Sequence, residues 1–174
     1  MNKMLYNYMK NGSNKYLELP IVFDYDGVLF EARWYNDTLN MKDETLDKLI
    51  EAFKRGENLH TEPILGLYNV LKDIKGPIFV LSHMHHEIEF NHKRNQIAKY
   101  FDMIPQENIF YASSIMEDSS MVGLSKIEYL EKIYRKYNGF VYIDDNHPNL
   151  MKMESYFWDR KDDCHFFHVS SLYV

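Results

Sequence analysis

The sequence predicts an α/β fold in three layers, in which helices cover both faces of a doubly wound parallel sheet. Short apolar runs of strand length alternate along the chain with longer segments whose apolar residues recur at helical spacing. Parallel strands need long crossover connections, usually helices, and buried parallel strands are apolar throughout. The alternation therefore favours a parallel sheet with helices on both sides.

Composition indicates a single globular domain over residues 1–174. The chain is 45% hydrophobic and 26% charged, and it is long enough to bury a substantial core. Its net charge of −6 argues against general nucleic-acid binding, because phosphate backbones bind basic surfaces. Cys164 is the single cysteine and cannot form an internal disulfide. Without an apolar stretch suited to a signal peptide or a membrane span, we expect a cytoplasmic protein with no membrane partner.

The elements follow from apolar spacing and from their start and stop residues. The first strand leads into Asp24, and residues 31–60 are predicted to form a small helical cap insert. Further strands are predicted at 77–82, 109–112, 140–145 and 166–169. Helices are predicted at 43–54, at 61–75 with Thr61 as cap and Pro63 in the first turn, at 85–101, at 125–137 with Ser125 as cap, and after Pro148.

Two aspartates lie one residue apart where the first strand ends. Successive side chains of a strand point to opposite faces, so we expect Asp24 and Asp26 on the same face. Gly27 permits the sharp turn that would end the strand. Two carboxylates this close repel each other unless a cation or a proton lies between them. The pair therefore predicts a metal site, a shared-proton site, or both.

Polar residues also end the second and fourth predicted strands, namely Ser82, Asp144 and Asp145. The carboxyl ends of neighbouring strands in a doubly wound sheet meet at one crevice. Clustered carboxylates there suit Mg²⁺, and a serine with the amides of the next turn can hold phosphate oxygens. Lys126 precedes Asp144 by one helix, so it can reach the crevice and balance phosphoryl charge.

Taken in order, these motifs resemble those of the haloacid dehalogenase superfamily of phosphohydrolases. They are Asp-x-Asp-Gly-Val at residues 24–28, the serine at 82, Ser-Lys at 125–126 and Asp-Asp at 144–145. The resemblance covers residues 20 to about 150 and implies a Rossmannoid core with a cap. It also implies a Mg²⁺-dependent phosphomonoester hydrolase that works through an aspartyl-phosphate. The lysine-arginine pair at 93–94 and Pro-Asn-Leu at 148–150 are similar to the 5′(3′)-deoxyribonucleotidase-like branch, although the short cap departs from it.

The resemblance implies roles in catalysis and phosphate binding. Asp24 would be the nucleophile, and Asp26 would protonate the leaving group and then act as base toward water. Ser82 and Lys126 would bind the phosphoryl oxygens, and His83 could join them through its amide or imidazole.

The resemblance also implies a Mg²⁺ site. Asp24, Asp144 and the backbone carbonyl of Asp26 would bind the ion. Asp145 would ligate it or orient a water bound to it, but Asp145 could equally be structural.

Several residues near the crevice have a structural interpretation as well. Trp34 and Tyr35 follow the first motif, where either could stack on a base or sugar or pack between cap and core. We predict that Lys93 and Arg94 lie on a solvated helix face. The histidines between 83 and 92 are expected to be polar loop residues rather than zinc ligands.

Two other functions remain open, a phosphotransferase of the same fold and a non-catalytic protein that binds a phosphorylated ligand. For the hydrolase, we expect a small phosphorylated substrate, with nucleotides among the candidates. Residues 31–60 are too few for a lid domain. A bulkier phosphorylated substrate or a homo-oligomer that covers the crevice is therefore also expected.

Overall fold

A computed structural model of the protein describes residues 19–31, 51, 62–72, 74–84, 87–113 and 122–172. Strands and helices alternate through these ranges, with short 3₁₀ turns at Gln106–Asn108, Trp158–Arg160 and Val169–Leu172. The strands and helices are β1 (Ile21–Phe23), α1 (Leu65–Leu71), β2 (Ile78–Met84), α2 (Glu87–Tyr100), β3 (Ile109–Ser113), α3 (Val122–Tyr137), β4 (Phe140–Asp144), α4 (His147–Tyr156) and β5 (Cys164–His168).

The five described strands form one parallel sheet in the order β3-β2-β1-β4-β5. The central strand β1 pairs Val22 with Phe79 of β2 on one side and with Tyr142 of β4 on the other. Chain order reverses at β1, and open α/β sheets bind their ligands at such a switch point. The predicted doubly wound parallel sheet is confirmed.

A hydrophobic core lies on each face of the sheet, because alternate strand residues point to opposite sides. Phe23 of β1 belongs to the first core and its neighbour Val22 to the second. The helical residues of the first core are Leu67 and Leu71 of α1 and Ile97 of α2. Those of the second core are Ile127, Leu130 and Ile133 of α3 and Leu150 and Met153 of α4. The three-layer arrangement is thus also confirmed.

Two helices begin at residues other than those predicted. Helix α3 begins at Val122, so Ser125 lies inside the first turns, and its prediction as the cap is wrong. Pro63 is not in a first helical turn, because α1 begins only at Leu65. Instead Pro63 forms an antiparallel bridge with Phe30. The backbone groups on either side of Pro63 bind the loop after β1, with Glu31 N donating to Glu62 O and Ile64 N to Leu29 O.

Other boundaries lie within a few residues of the predicted ones. Strand β2 continues two residues past Ser82, β4 ends at Asp144, and β5 begins at Cys164 rather than at residue 166. Helix α3 ends at Tyr137 as predicted, and Asn138 after it has a left-handed φ of 57°. Helix α4 begins just before Pro148, and the Asn146 side chain caps it by accepting from Asn149 N.

The predicted cap at 31–60 and the helix at 43–54 lie outside the described residues, except for Glu31 and the helical residue Glu51. Both therefore stay predictions. In the described part of the chain, no helix combines the length and apolar character that crossing a bilayer requires.

Candidate active site

The first motif lies in a tight loop beyond the end of β1. Because β1 ends at Phe23, strand alternation does not extend to the two aspartates, and the prediction that they share a strand face is wrong. The Asp24 amide still donates to Ile143 O of β4, which extends the sheet contact by one residue. Beyond it, Tyr25 O accepts from Leu29 N and Phe30 N. This loop directs the two carboxylates to different lysines.

Lys126 of α3 forms an ion pair with Asp24, the nucleophile candidate. Its Nζ lies 3.1 Å from Asp24 Oδ1 and 2.9 Å from Asp144 Oδ2. It also donates to the Tyr142 hydroxyl at 2.9 Å, and that hydroxyl donates to Asp144 Oδ2 at 2.5 Å. Asn146 N donates to the other oxygen of Asp144 at 2.8 Å. The structure thus brings Lys126, Asp24 and Asp144 together at the ends of β1 and β4.

Lys93 of α2 is the second lysine at this end of the sheet. Only 2% of it is exposed, so its prediction on a solvated helix face is wrong. Its Nζ lies 2.6 Å from Asp26 Oδ2 and 2.9 Å from Glu89 Oε1. It also donates to Ser82 Oγ at 3.0 Å. Packing of this face of α2 against the first core turns Lys93 inward, where the two carboxylates compensate its charge.

Three carboxylates form a candidate metal site. One oxygen each from Asp24, Asp144 and Asp145 lie within 4.8 Å of one another. Carboxylate oxygens are the donors that Mg²⁺ prefers, so the residues present fit this ion. The Asp26 side chain is not part of this group and binds Lys93 instead. The predicted metal contact of Asp26 is through its backbone carbonyl oxygen and does not involve its side chain.

Burial and mutual repulsion raise the pKa of two of these carboxyl groups. For Asp24, burial is the largest cause, and Asp144 and Asp26 add to it; Lys126 opposes them, and the pKa rises to about 8. Burial, followed by the charge of Asp144, raises the pKa of Asp145 to about 6. Burial alone would lower the pKa of Lys126, but Asp24 and Asp144 raise it above its ordinary value. Protons and a cation would therefore compete for the same oxygens.

His168, the last residue of β5, contacts the backbone of Asp145. His168 Nε2 lies 2.8 Å from Asp145 O, and Ser170 N donates to His168 Nδ1 at 3.2 Å. Because Nδ1 accepts from an amide, the proton of the neutral ring is on Nε2 and is donated to the Asp145 carbonyl. The His147 ring packs edge-on against His168 with centroids 5.3 Å apart. Strand β5 thus fixes the backbone of a candidate metal ligand.

Ser82 and His83 occupy the end of β2 beside Lys93. Ser82 is buried, and its hydroxyl donates to His83 O at 3.3 Å while accepting from Lys93. His83 is half-buried, and its carbonyl lies 3.4 Å from Lys93 Nζ. Trp34 and Tyr35, the predicted substrate contacts, lie outside the described residues.

Lys93 and Tyr142 are the site residues that sequence reasoning missed, and both left a signal. On α2, Glu89, Lys93 and Ile97 recur every four residues and are all buried, so the charged pair shares the face of an apolar residue. On β4, Tyr142 and Asp144 are two residues apart and lie on the same side of the sheet. A polar or charged residue that shares the periodic spacing of the core residues in its helix or strand therefore indicates a buried side chain of the site.

Comparison with known proteins adds a fold relative. No protein-family model matches the chain, and no curated protein matches it. Among solved structures, the chain is similar to a protein from Burkholderia xenovorans LB400 provisionally assigned as a haloacid dehalogenase-like hydrolase. The TM-score is 0.51 at 15% identity, over 86% of this chain and 80% of that one. The chain has the fold of that protein.

Proposed function

We propose that the protein is a Mg²⁺-dependent phosphomonoester hydrolase of the haloacid dehalogenase superfamily that works through an aspartyl-phosphate. The main support is the contact of Lys126 with both Asp24 and Asp144, which brings the first, third and fourth motifs to one crevice. Ser82 of the second motif lies near the carboxyl end of β2, the strand next to β1. The fold of the hydrolase-like neighbour agrees with this proposal.

Asp24, Asp144 and Asp145 would hold the Mg²⁺ ion, with the Asp26 carbonyl as a further ligand. When bound, the ion would neutralise carboxylate and phosphate charge and favour the ionised form of Asp24. Only the ionised form of Asp24 can attack phosphorus. Without a cation, burial raises the pKa of Asp24 to about 8, so the ion would increase the ionised fraction at neutral pH. Lys126 contributes a fixed positive charge to the same carboxylate.

Asp24 would make the first half of the reaction. Its free carboxylate oxygen attacks phosphorus, the Asp24 O–P bond forms, and the bond from phosphorus to the leaving oxygen breaks. Lys126 and Ser82 stabilise the negative charge on the phosphoryl oxygens. Asp26 donates a proton to the leaving oxygen.

Asp26 would complete the second half. The carboxylate of Asp26 accepts a proton from a water molecule as the water oxygen attacks phosphorus. The O–P bond to Asp24 breaks, and its electron pair returns to the Asp24 carboxylate. Phosphate leaves, and the site returns to its starting state. The substrates that we propose are small phosphorylated metabolites of the cytoplasm, nucleotides among them.

The test is phosphate release from a nitrophenyl phosphate with and without Mg²⁺. We expect Asp24→Asn to lose activity by roughly 10³-fold or more, as other enzymes do without their nucleophile. Asp102→Asn is the matched control, since Asp102 is exposed. Full activity without Mg²⁺ or with Asp24→Asn would contradict the mechanism. Transfer to added alcohol acceptors in place of phosphate release would identify a phosphotransferase.

A panel of phosphorylated metabolites, nucleotides and end-phosphorylated oligonucleotides then identifies the substrate class. Hydrolysis restricted to mononucleotides would support the nucleotidase-like assignment. A preference for the larger members would support an open crevice.

A further inference from the structure

We propose that Lys93 is a positioning residue that fixes the Asp26 carboxylate for the hydrolysis of the aspartyl-phosphate, an inference that rests on the proposed function. Lys93 Nζ contacts three parts of the fold at once. It lies 2.6 Å from Asp26 Oδ2 in the loop after β1, 3.0 Å from Ser82 Oγ in β2, and 2.9 Å from Glu89 Oε1 in its own helix. It also lies 5.0 Å from the ring centroid of Tyr25. One ammonium group therefore ties the first two motifs together.

The exposures of the pair indicate which member would face water. The Asp26 side chain keeps 26% of its surface exposed, while that of Lys93 keeps 2%. Lys93 is therefore the more buried member of the pair, and the exposed surface belongs to the Asp26 side chain, whose Oδ1 atom is nevertheless buried. This arrangement fits a lysine that acts through Asp26 rather than on the substrate.

The two lysines that are buried in the described part of the chain pair with different aspartates. Lys126 forms ion pairs with Asp24 and Asp144, whereas Lys93 forms them with Asp26 and Glu89. Burying a lysine costs free energy that a hydrophobic residue in the same place would not. A second buried lysine at the crevice is therefore more readily explained by a task at Asp26 than by stability.

The step that Lys93 supports is the attack of water on phosphorus. In this step Asp26 must be an ionised carboxylate in the correct orientation. The ammonium group of Lys93, 2.6 Å from Asp26 Oδ2, favours the ionised form and fixes the orientation of the carboxylate. The proton of the water passes to Asp26, the Asp24 O–P bond breaks, and Lys93 keeps its own protons throughout. Loss of Lys93 should slow this second half more than the first.

The experiment is rapid-mixing kinetics with a nitrophenyl phosphate and Mg²⁺, because this leaving group needs no proton. For Lys93→Met we expect a burst of about one nitrophenol per active site, followed by steady turnover about 100-fold slower than wild type. Phosphorylated Asp24 should accumulate and be detectable by intact-protein mass after acid quench. Asp26→Asn should give the same burst, and the double variant should lose less than about threefold more. Lys93→Arg, which keeps the charge, should recover most of the turnover.

The exposed Lys99 of the same helix supplies the control, and Lys99→Met should behave as wild type. If Lys93→Met does not fold, the double variant Lys93→Met/Glu89→Gln is used in its place, because it removes both charges of the Lys93–Glu89 pair. A wild-type protein without Mg²⁺-dependent phosphate release overturns the proposed function and this inference together. If the wild type is active, two results for Lys93→Met overturn this inference alone. One is normal turnover, and the other is release of nitrophenol and of phosphate at the same reduced rate, without a burst.

Discussion

Gly27 and Asp145 fit together only because residue 27 has no side chain. A Cβ atom at this position would overlap Oδ2 of Asp145. The φ of Gly27 is also +69°, a left-handed conformation that other residues adopt at a cost. One glycine therefore meets two requirements, the turn of the first motif and the room for the last acid of the fourth.

Gly27→Ala should weaken Mg²⁺ binding. The added methyl group displaces the Asp145 carboxylate, so we expect the Mg²⁺ affinity to fall about tenfold or more. Calorimetric titration with Mg²⁺ measures this change. Gly66→Ala is the control, because nothing lies within 4 Å of its Cβ position in α1. It should raise stability by up to about 1 kcal/mol and leave Mg²⁺ binding unchanged.

The metal-free protein should lose stability as pH rises toward about 8. The folded pKa of Asp24 is about 8 against an ordinary value of 3.8, so between these values the folded state binds more protons than the unfolded state. The free energy of unfolding therefore falls as pH increases through this window. Asp145, with a pKa of about 6, adds a smaller effect of the same sign.

Thermal unfolding in a chelator, compared below pH of about 6 and above about 8, measures this dependence. Asp24→Asn should show a weaker loss than wild type over the same range, and saturating Mg²⁺ should raise Tm most at the higher pH. Equal slopes for wild type and Asp24→Asn would contradict the raised pKa of Asp24.

Tyr142→Phe should destabilise the protein by about 1.5–3 kcal/mol, because it removes a hydrogen bond to a buried carboxylate. The Tyr142 hydroxyl lies 2.5 Å from Asp144 Oδ2, and Asp144 is fully buried. Urea unfolding measures the change. Tyr156→Phe, at an exposed position of α4, should stay within about 0.5 kcal/mol of wild type. A Tyr142 variant no less stable than this control would count against the hydrogen bond.

His168→Leu should lower Mg²⁺ affinity about tenfold through the Asp145 backbone. The imidazole that donates to Asp145 O is lost, and supporting contacts of metal ligands commonly carry effects of this size. Mg²⁺ titration tests it, with His147→Leu as the comparison, since the His147 ring packs against the His168 ring. The same loss in both variants would assign the effect to ring packing instead.

The order of elements and the edge where polar residues meet could be predicted from sequence. Both depend on local patterns, namely apolar runs of strand length and the polar residues that follow them. Asp24, Ser82 and Asp144 were found in this way, since each follows an apolar run. The separation of Lys126 from Asp144 by one helix also depends on chain order alone.

The pairing of acids with lysines could not be predicted, because it depends on how α2 rotates against the sheet. The adjacent basic residues Lys93 and Arg94 are predicted to lie together on a solvated helix face, but Lys93 is buried. Its inward direction follows from Glu89 and Ile97, one turn away on either side, being buried on the same face. Tertiary packing thus decided which of two adjacent basic residues serves the site.

Strand β1 has a hydrogen-bonded neighbour on each edge and a core on each face. Its amides, and that of Asp24 bound to Ile143 O, should exchange with deuterium only when the whole domain opens. We therefore expect Asp24, the proposed nucleophile, to be anchored in a part of the chain that opens only with the rest of the sheet. Denaturant should therefore abolish activity at the concentration that unfolds the domain, without an earlier phase in which a folded protein has lost its Asp24.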